Sequence, residues 1–330
     1  MTEVAVARRQ FDTDRVGAWI QDRGVYAAIV VLLLFNLAVN PDFLTANNLQ
    51  LNLIQMAVVL VASLGMAMVI GTGGIDLSVG AVIALSNAFV AIYLSNTFQL
   101  ATFPAILMAL LAGSLVGLFN GVLVGVVGIQ PIIATLPMFI GARAFAQFWA
   151  DRQTGTIAIR YPESAFMEQL GYGKLFGRVP YSVIVALSLT AVVAFVMLRT
   201  TFGRRVVSVG DNLTASRLAG LPVRRTLVTV YVLSGLLAAV AGILATARLG
   251  QGGPSTAGLD FELNAITAVV VGGTALSGGR VRILGTFAGA LFIQLLLSTL
   301  ISNDVKPSLA RIIQALVIIA AVYAQRGRGR

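Results

Sequence analysis

Apolar residues in this chain come in long unbroken blocks. Ten can be marked: residues 25–39, 49–71, 77–95, 102–126, 130–149, 180–198, 226–248, 263–277, 283–302 and 308–324. Runs such as AVVLVASLGMAMVIG (57–71) and ALVIIAAVYA (315–324) show neither a one-faced helical stripe nor the alternation of a barrel strand. A block of about 20 residues matches the ~30 Å hydrocarbon core at 1.5 Å per residue. Lipid offers no partner to backbone N–H and C=O groups, so each crossing must satisfy them within a helix. The pattern predicts an all-α polytopic membrane protein with about ten transmembrane helices. The eighth block is the weakest and short enough to be re-entrant.

Two of the breaks between blocks resemble each other. Residues 71–84 read GTGGIDLSVGAVIA and residues 250–268 read GQGGPSTAGLDFELNAITA. Gly71, Gly73 and Gly74 align with Gly250, Gly252 and Gly253. After a five-residue insertion Asp76 aligns with Asp260. Gly113 and Gly117 match Gly285 and Gly289, each pair a GxxxG, and Pro131 and Pro307 open blocks five and ten. By the span count the first break faces the cytoplasm and the second faces outward. Blocks two to five and seven to ten therefore read as two inverted repeats, an arrangement common in transporters. The glycines end one helix and turn the chain. Asp76 and Asp260 fall where an N-cap would, and two roles stay open for each: a capping carboxylate or a group lining a pathway. Asn87, Asn120 and Gln294 are polar within apolar spans and pose a similar choice, pathway lining or helix–helix hydrogen bonding.

Composition agrees with the pattern. Hydrophobic residues make up 58% of the chain and charged residues 11%, against about 45–50% and 25% in soluble domains. The formal net charge is +10, but its placement is topological. With ten spans and the N-terminus inside, the cytoplasmic face receives fifteen of the 23 lysines and arginines. They cluster in segment 1–24, in the loop 199–225, at Arg280 and Arg282, and in the basic tail 325–330. This satisfies the positive-inside rule and puts both termini in the cytoplasm, around a membrane domain of residues 25–324. Arg143, Arg248 and Arg311 lie near block ends, where such side chains snorkel. The basic balance does not point to nucleic acid. The first block reads as an uncleaved span, since no small-residue cleavage site follows it.

The missing chemistry is equally informative. There are no cysteines and no histidines, which removes disulfides, thiol chemistry and the commonest metal ligand and general base. No G-x-x-x-x-G-K-[ST] loop occurs, so the chain cannot bind ATP in the P-loop manner. GGTALSGG (272–279) has the composition of a phosphate loop but no lysine, and reads as a tightly packed turn. No catalytic residues and no metal ligands can be assigned, which disfavours a membrane enzyme. An ion-coupled carrier would need an intramembrane relay, and only Asp76, Asp260 and Glu262 lie near the membrane.

The loop 199–225 is the most informative polar segment. Asn212 or Thr214 can cap a short helix, Gly220 can end it, and Pro222 follows. The expected helix, 212–220, leaves Leu213, Leu218 and Leu221 free to bury in a groove of a partner.

Four stretches now resemble one family: GGIDLSVG (73–80), DNLTASRLAGLPV (211–223), ELNAITAVVVGGTALSGGR (262–280) and FLTANNLQLNLIQ (43–55). They are similar to the permease subunits of bacterial ABC importers for simple sugars, of the ribose, xylose, arabinose and galactofuranose type. The resemblance covers residues 25–324. It implies ten helices per subunit in the cytoplasmic membrane, a second permease chain and an extracytoplasmic sugar-binding protein. It also implies separate P-loop ATPase subunits, which would carry the ATP and magnesium; no cofactor is expected on this chain. On this resemblance the sugar pathway would be lined by Gly73, Gly74, Asp76, Ser78, Asn87, Asn120, Asp260, Glu262 and Asn264. The ATPase would be met by Asn212, Leu213, Ala215, Arg217, Leu218, Gly220 and Leu221. AGLDFELNAI (257–266) and IQLLLSTLI (293–301) look nearest the galactofuranose branch, although Asn264 replaces an Asp usual in the family. Importers of branched-chain amino acids or nucleosides share the architecture and remain the alternative on substrate.

Overall fold

The computed structural model describes residues 24–95, 101–150, 157–159 and 164–325. The basic clusters of residues 1–23 and 326–330, and Arg152 and Arg160, lie outside them. Thirteen helices are described. Ten correspond to the blocks: α1 (Gly24–Val39), α2 (Ala46–Gly71), α3 (Val79–Tyr93), α4 (Thr102–Val122), α5 (Pro131–Trp149), α7 (Tyr181–Arg199), α10 (Val223–Leu249), α11 (Phe261–Val271), α12 (Ile283–Ser302) and α13 (Pro307–Gln325). The others are α6 (Ala165–Tyr172), α8 (Thr201–Asp211) and α9 (Leu213–Leu218). Two-residue strands form two small antiparallel pairs, β1 (Ile157–Ala158) with β4 (Gln251–Gly252) and β2 (Lys174–Leu175) with β3 (Val179–Pro180).

Six helices are long and apolar enough to cross a bilayer alone: α2, α4 with its extension to Val127, α5, α7, α10 and α12. Two of the short ones occupy equivalent places. Helix α3 has 15 residues and α11 has 11, about 22 and 16 Å against a core of ~30 Å. The eighth block was expected to run to residue 277, but its helix stops at Val271. Gly272 takes the C-cap, and Gly273, Gly278 and Gly279 adopt positive φ in the turn that follows.

The core is built on α2 and α10, which lie side by side, with α4 packed along α10 and α12 against α2. The pairing exchanges the members of the two halves. Within each half, α3 packs on α4 and α11 on α12. Pro131 and Pro307 stand at the first positions of α5 and α13, where a missing N–H costs nothing. The two GxxxG pairs, however, do different work. Gly113, Gly117 and Gly121 press α4 onto the backbone of α10 at Gly235, Tyr231 and Val228. Gly285 and Gly289 press α12 onto α11, at Gly272 and Ala268. Close helix approach through small residues explains both, but the sequence match does not carry over into equivalent contacts.

The polar segments gather at two ends. At one end Lys174 Nζ donates to Gln50 Oε1 (2.6 Å), β1 pairs with β4, and α6 packs on α10 through Gly171. At the other end lie α8, α9, the 72–78 break and the 272–282 turn. Here Gly279 N donates to Gly71 O (3.1 Å) and Gly210 is wedged against both glycines.

Candidate functional site: two half-helices that meet at mid-membrane

The first break climbs into the membrane from the α8–α9 end. Gly73, at φ 79°, lies against Ser277, and Gly74 lies beside Tyr231. Asp76 follows, 1% exposed, against Ser234 of α10. Ser234 is eleven residues into α10, about 16 Å from its start and close to the middle of the core. The second break descends from the opposite end. Gly253 N donates to Asn87 Oδ1 (2.9 Å), and Gly258 lies on Gly80 and Ile83, two turns nearer the start of α3. Gly80 therefore meets Gly258 and Glu262: the N-terminal ends of α3 and α11 face each other in the membrane interior. The missing lengths of spans three and eight are supplied by non-helical chain, most of it in turns.

Backbone in lipid must be satisfied by protein, and the two breaks do this differently. Around the first, Ser78 N and Oγ donate to Asp76 Oδ1 (3.0 and 2.6 Å) and Ser234 Oγ donates to Asp76 Oδ2 (2.9 Å). Asn120 Nδ2 donates to Ser78 Oγ (2.9 Å), and Leu77 N to Thr135 Oγ1 (3.2 Å). The capping expectation for Asp76 needs correction. The N-cap of α3 is Ser78; Asp76 closes a two-residue turn before it and ties that turn to α4 and α10. Tyr231 OH and Asn120 Oδ1, both buried nearby, have no hydrogen-bond partner among the described residues.

Around the second break, Asp260 does occupy the N-cap position of α11, but in the left-handed region at φ 64° and with no capping hydrogen bond. This corrects the expected capping role: the carboxylate turns outward to Arg311 Nε of α13 (3.1 Å). Arg143 is not a snorkelling end residue; its guanidinium donates to Ala257 O (2.9 Å) and Gly258 O (3.1 Å). Glu262 is buried, and its Oε2 has no hydrogen-bond partner among the described residues. Asn264 accepts a short hydrogen bond from Gln314 of α13. Helix α5 thus touches both breaks, through Thr135 at the first and Arg143 at the second. Nothing in the apolar pattern singled out Thr135, Ser234 or Tyr231; a polar residue within an apolar block was the available signal.

The remaining polar residues bond between helices. Asn87 Nδ2 donates to Thr246 Oγ1 (2.8 Å), and Gln294 Nε2 to Gln55 Oε1 (2.7 Å).

The loop 199–225 is more structured than the sequence suggested. Helix α8 was not foreseen, and it precedes a six-residue α9. Asn212 caps α9, its Oδ1 accepting from Ala215 N (2.8 Å). Gly220, at φ 72°, ends it with bonds from Gly220 N to Arg217 O and from Leu221 N to Ser216 O, a Schellman pattern. Leu213 and Leu218 are exposed, the latter by 86%. Leu221 is not free as expected, for it packs against the core. Ser216 Oγ donates to Ser208 O (2.8 Å), fixing α9 to α8, whose end sits on Gly71 and Gly279.

Long apolar helices and two interrupted spans that meet at Gly80 define a polytopic helical membrane protein. The family described as branched-chain amino acid transport system / permease component matches residues 48–322, and the chain belongs to it. Among its relatives is the ribose import permease protein RbsC of Haemophilus influenzae, 35% identical over 315 residues, 96% of each chain. RbsC of Escherichia coli K12 is 36% identical over 98% of each. The galactofuranose transporter permease protein YtfT of the same strain is 37% identical over 83% of this chain and 78% of its own. No solved structure matches the chain.

Proposed function

We propose that this chain is the membrane-spanning subunit of an ATP-driven importer that passes a monosaccharide to the cytoplasm. The observation that carries the transport reading is the meeting of Gly80 with Gly258 and Glu262. Two half-crossings joined there can part from either side while the long helices stay packed. Support for a sugar comes from the relatives, which are named for ribose and galactofuranose import. The family description names branched-chain amino acids, which keeps that substrate class as the second reading.

In this reading α9 is the contact for a separate ATPase subunit, with Asn212, Leu213, Ala215, Arg217, Leu218 and Gly220 presented at an exposed, capped helix. Movement of α9 reaches α8 through Ser216, then Gly71 and Gly279, and so the first break. Asp76, Ser78 and Asn120 hold that break; Asp260, Glu262 and Asn264 belong to the second. A sugar needs few polar contacts on passage, and tight binding would hinder release. Both termini are cytoplasmic, a second permease chain completes the pathway, and an extracytoplasmic binding protein delivers the sugar.

The test is uptake by proteoliposomes holding the permease, its ATPase and its binding protein. Ribose, galactofuranose and leucine are each offered with ATP inside. ATP-dependent entry of one sugar is expected; entry of leucine alone would overturn the substrate, and entry without ATP would overturn the class. Leu218→Glu, at an exposed position, should leave the permease folded and abolish uptake. For orientation, cysteines at Gln169 and Ser208 should label from opposite sides, Ser208 from the cytoplasm.

A further inference from the structure

Helix α4 does not end as an ordinary α-helix. The five residues that extend it, Leu123–Val127, form a π-helical turn closed by Gly128 in the left-handed region. The wider turn, of a kind often found at functional sites, faces the segment that joins α9 to α10. Between them lies a cavity of about 690 Å³. Its walls have two characters. On one side are the guanidinium-bearing residues Arg217, Arg224 and Arg225; on the other are Val126, Val127 and Gly128.

None of the three guanidinium groups has a hydrogen-bond or ion-pair partner among the described residues. Arg224 and Arg225 stand in the first turn of α10, where a span enters the bilayer. Val126 and Val127 are 51% and 62% exposed at the end of α4, also a span. No acidic residue lines the cavity. Three cations beside exposed aliphatic surface, at the ends of two spans, suit an amphiphile with a phosphate.

We propose that this cavity binds the headgroup of an anionic phospholipid of the cytoplasmic leaflet. The inference rests on the orientation proposed above but not on the sugar. Arginine forks take phosphate oxygens in pairs, and the N-terminal end of α10 adds positive potential. The acyl chains then cover Val126 and Val127. An acidic loop of a partner protein would satisfy the arginines and leave both valines in water. Arg217 is shared with the ATPase contact proposed above, whereas Arg224 and Arg225 belong to the cavity alone, and Leu218, the exposed apolar residue of α9, is not part of the cavity wall.

The test is lipid retention by the purified full-length chain. It is equilibrated with equal phosphatidylglycerol and phosphatidylethanolamine in detergent and examined by native mass spectrometry. Preferential retention of phosphatidylglycerol is expected, lowered about ten-fold by Arg224→Gln with Arg225→Gln. The double lysine variant should be intermediate, and it decides the matter if the glutamine variant does not fold. Equal retention of both lipids, or of phosphatidylglycerol by wild type and variants alike, would overturn the proposal. Displacement by excess inorganic phosphate would reassign the cavity to a free anion and overturn the lipid. Unchanged retention with lost ATPase assembly would overturn it in favour of a protein contact.

Discussion

The two breaks share a sequence pattern and a place in the repeat, yet they are held by different forces. The first is buried and locked. Asp76 is fully buried, takes three hydrogen bonds from two serines, and joins α3, α4 and α10 through neutral partners. The second is charged and partly open. Asp260 and Arg311 pair at 42% and 68% exposure, and Arg143 holds two carbonyls of the descending chain. The two halves present similar interrupted spans; the side chains decide how firmly each interruption is fixed. The locked break adjoins the α8–α9 platform, and the looser one lies at the opposite end.

The contact between the breaks is the most sensitive point. A Cβ at Gly80 would overlap Glu262 Oε2 and Gly258 O, and the second of these is backbone with no room to move. Gly80→Leu is expected to cost about 3 kcal/mol or more and to lower folded yield sharply, read by thermal unfolding in detergent. Gly141→Leu, at a helical glycine with nothing within 4 Å, is the matched control and should fold as wild type. Equal behaviour of the two would break the picture of half-helices in contact.

Next in size is the lock itself. Asp76→Ala leaves Ser78 and Ser234 hydroxyls buried without their acceptor, which costs about 1–3 kcal/mol. The expectation is a lower unfolding temperature together with lost uptake. Asp76→Asn, which keeps one acceptor oxygen, should restore much of both. If the alanine variant unfolds with wild type, the serines have other partners and the break is not locked by them.

A smaller effect is expected at the helix that adjoins the first break. Asn212→Ala removes the cap on α9, worth about 1 kcal/mol in such positions. Because α9 is exposed and six residues long, the loss should be local: unchanged global unfolding, faster amide exchange in 213–218, and weaker stimulation of the ATPase. Global destabilisation instead would mean that α8 and α9 help hold the first break shut.

Much of this was legible in the sequence. Ten apolar blocks became ten helices because lipid leaves a backbone few alternatives. The two glycine-rich breaks were visible because the turns need residues tolerant of positive φ, as at Gly73 and Gly250. Asn212, Gly220 and Pro222 delimited α9 because caps are local chemistry. What escaped depends on where elements meet. The partners of Asp76 are two residues and 158 residues away, and no local pattern marks the second. Helix α8 was missed because its buried Gly203, Val206 and Val209 sit at helical spacing within a basic segment, which the charge reading treated as loop. Leu221 was misjudged because the curl of chain around Gly220 turns it back to the core.

The smallest effect belongs to Asp260, and it separates the two breaks most cleanly. Its left-handed conformation costs a non-glycine residue about 1–2 kcal/mol. Its exposed pair with Arg311 returns about 0–1 kcal/mol. Asp260→Gly removes both terms, so stability should be unchanged or raised by up to about 2 kcal/mol. Asp260→Ala keeps the strain and loses the pair, and should fall slightly below wild type. Arg311→Gln loses the pair alone and should match the alanine variant to within about 0.5 kcal/mol. Thermal unfolding of the three purified variants at low and high salt tests this, since only wild type should weaken as salt screens the pair. A glycine variant less stable than the alanine variant would show that the Asp260 backbone is held by its surroundings without strain. The second break would then be as firmly fixed as the first, and the contrast between them would not hold.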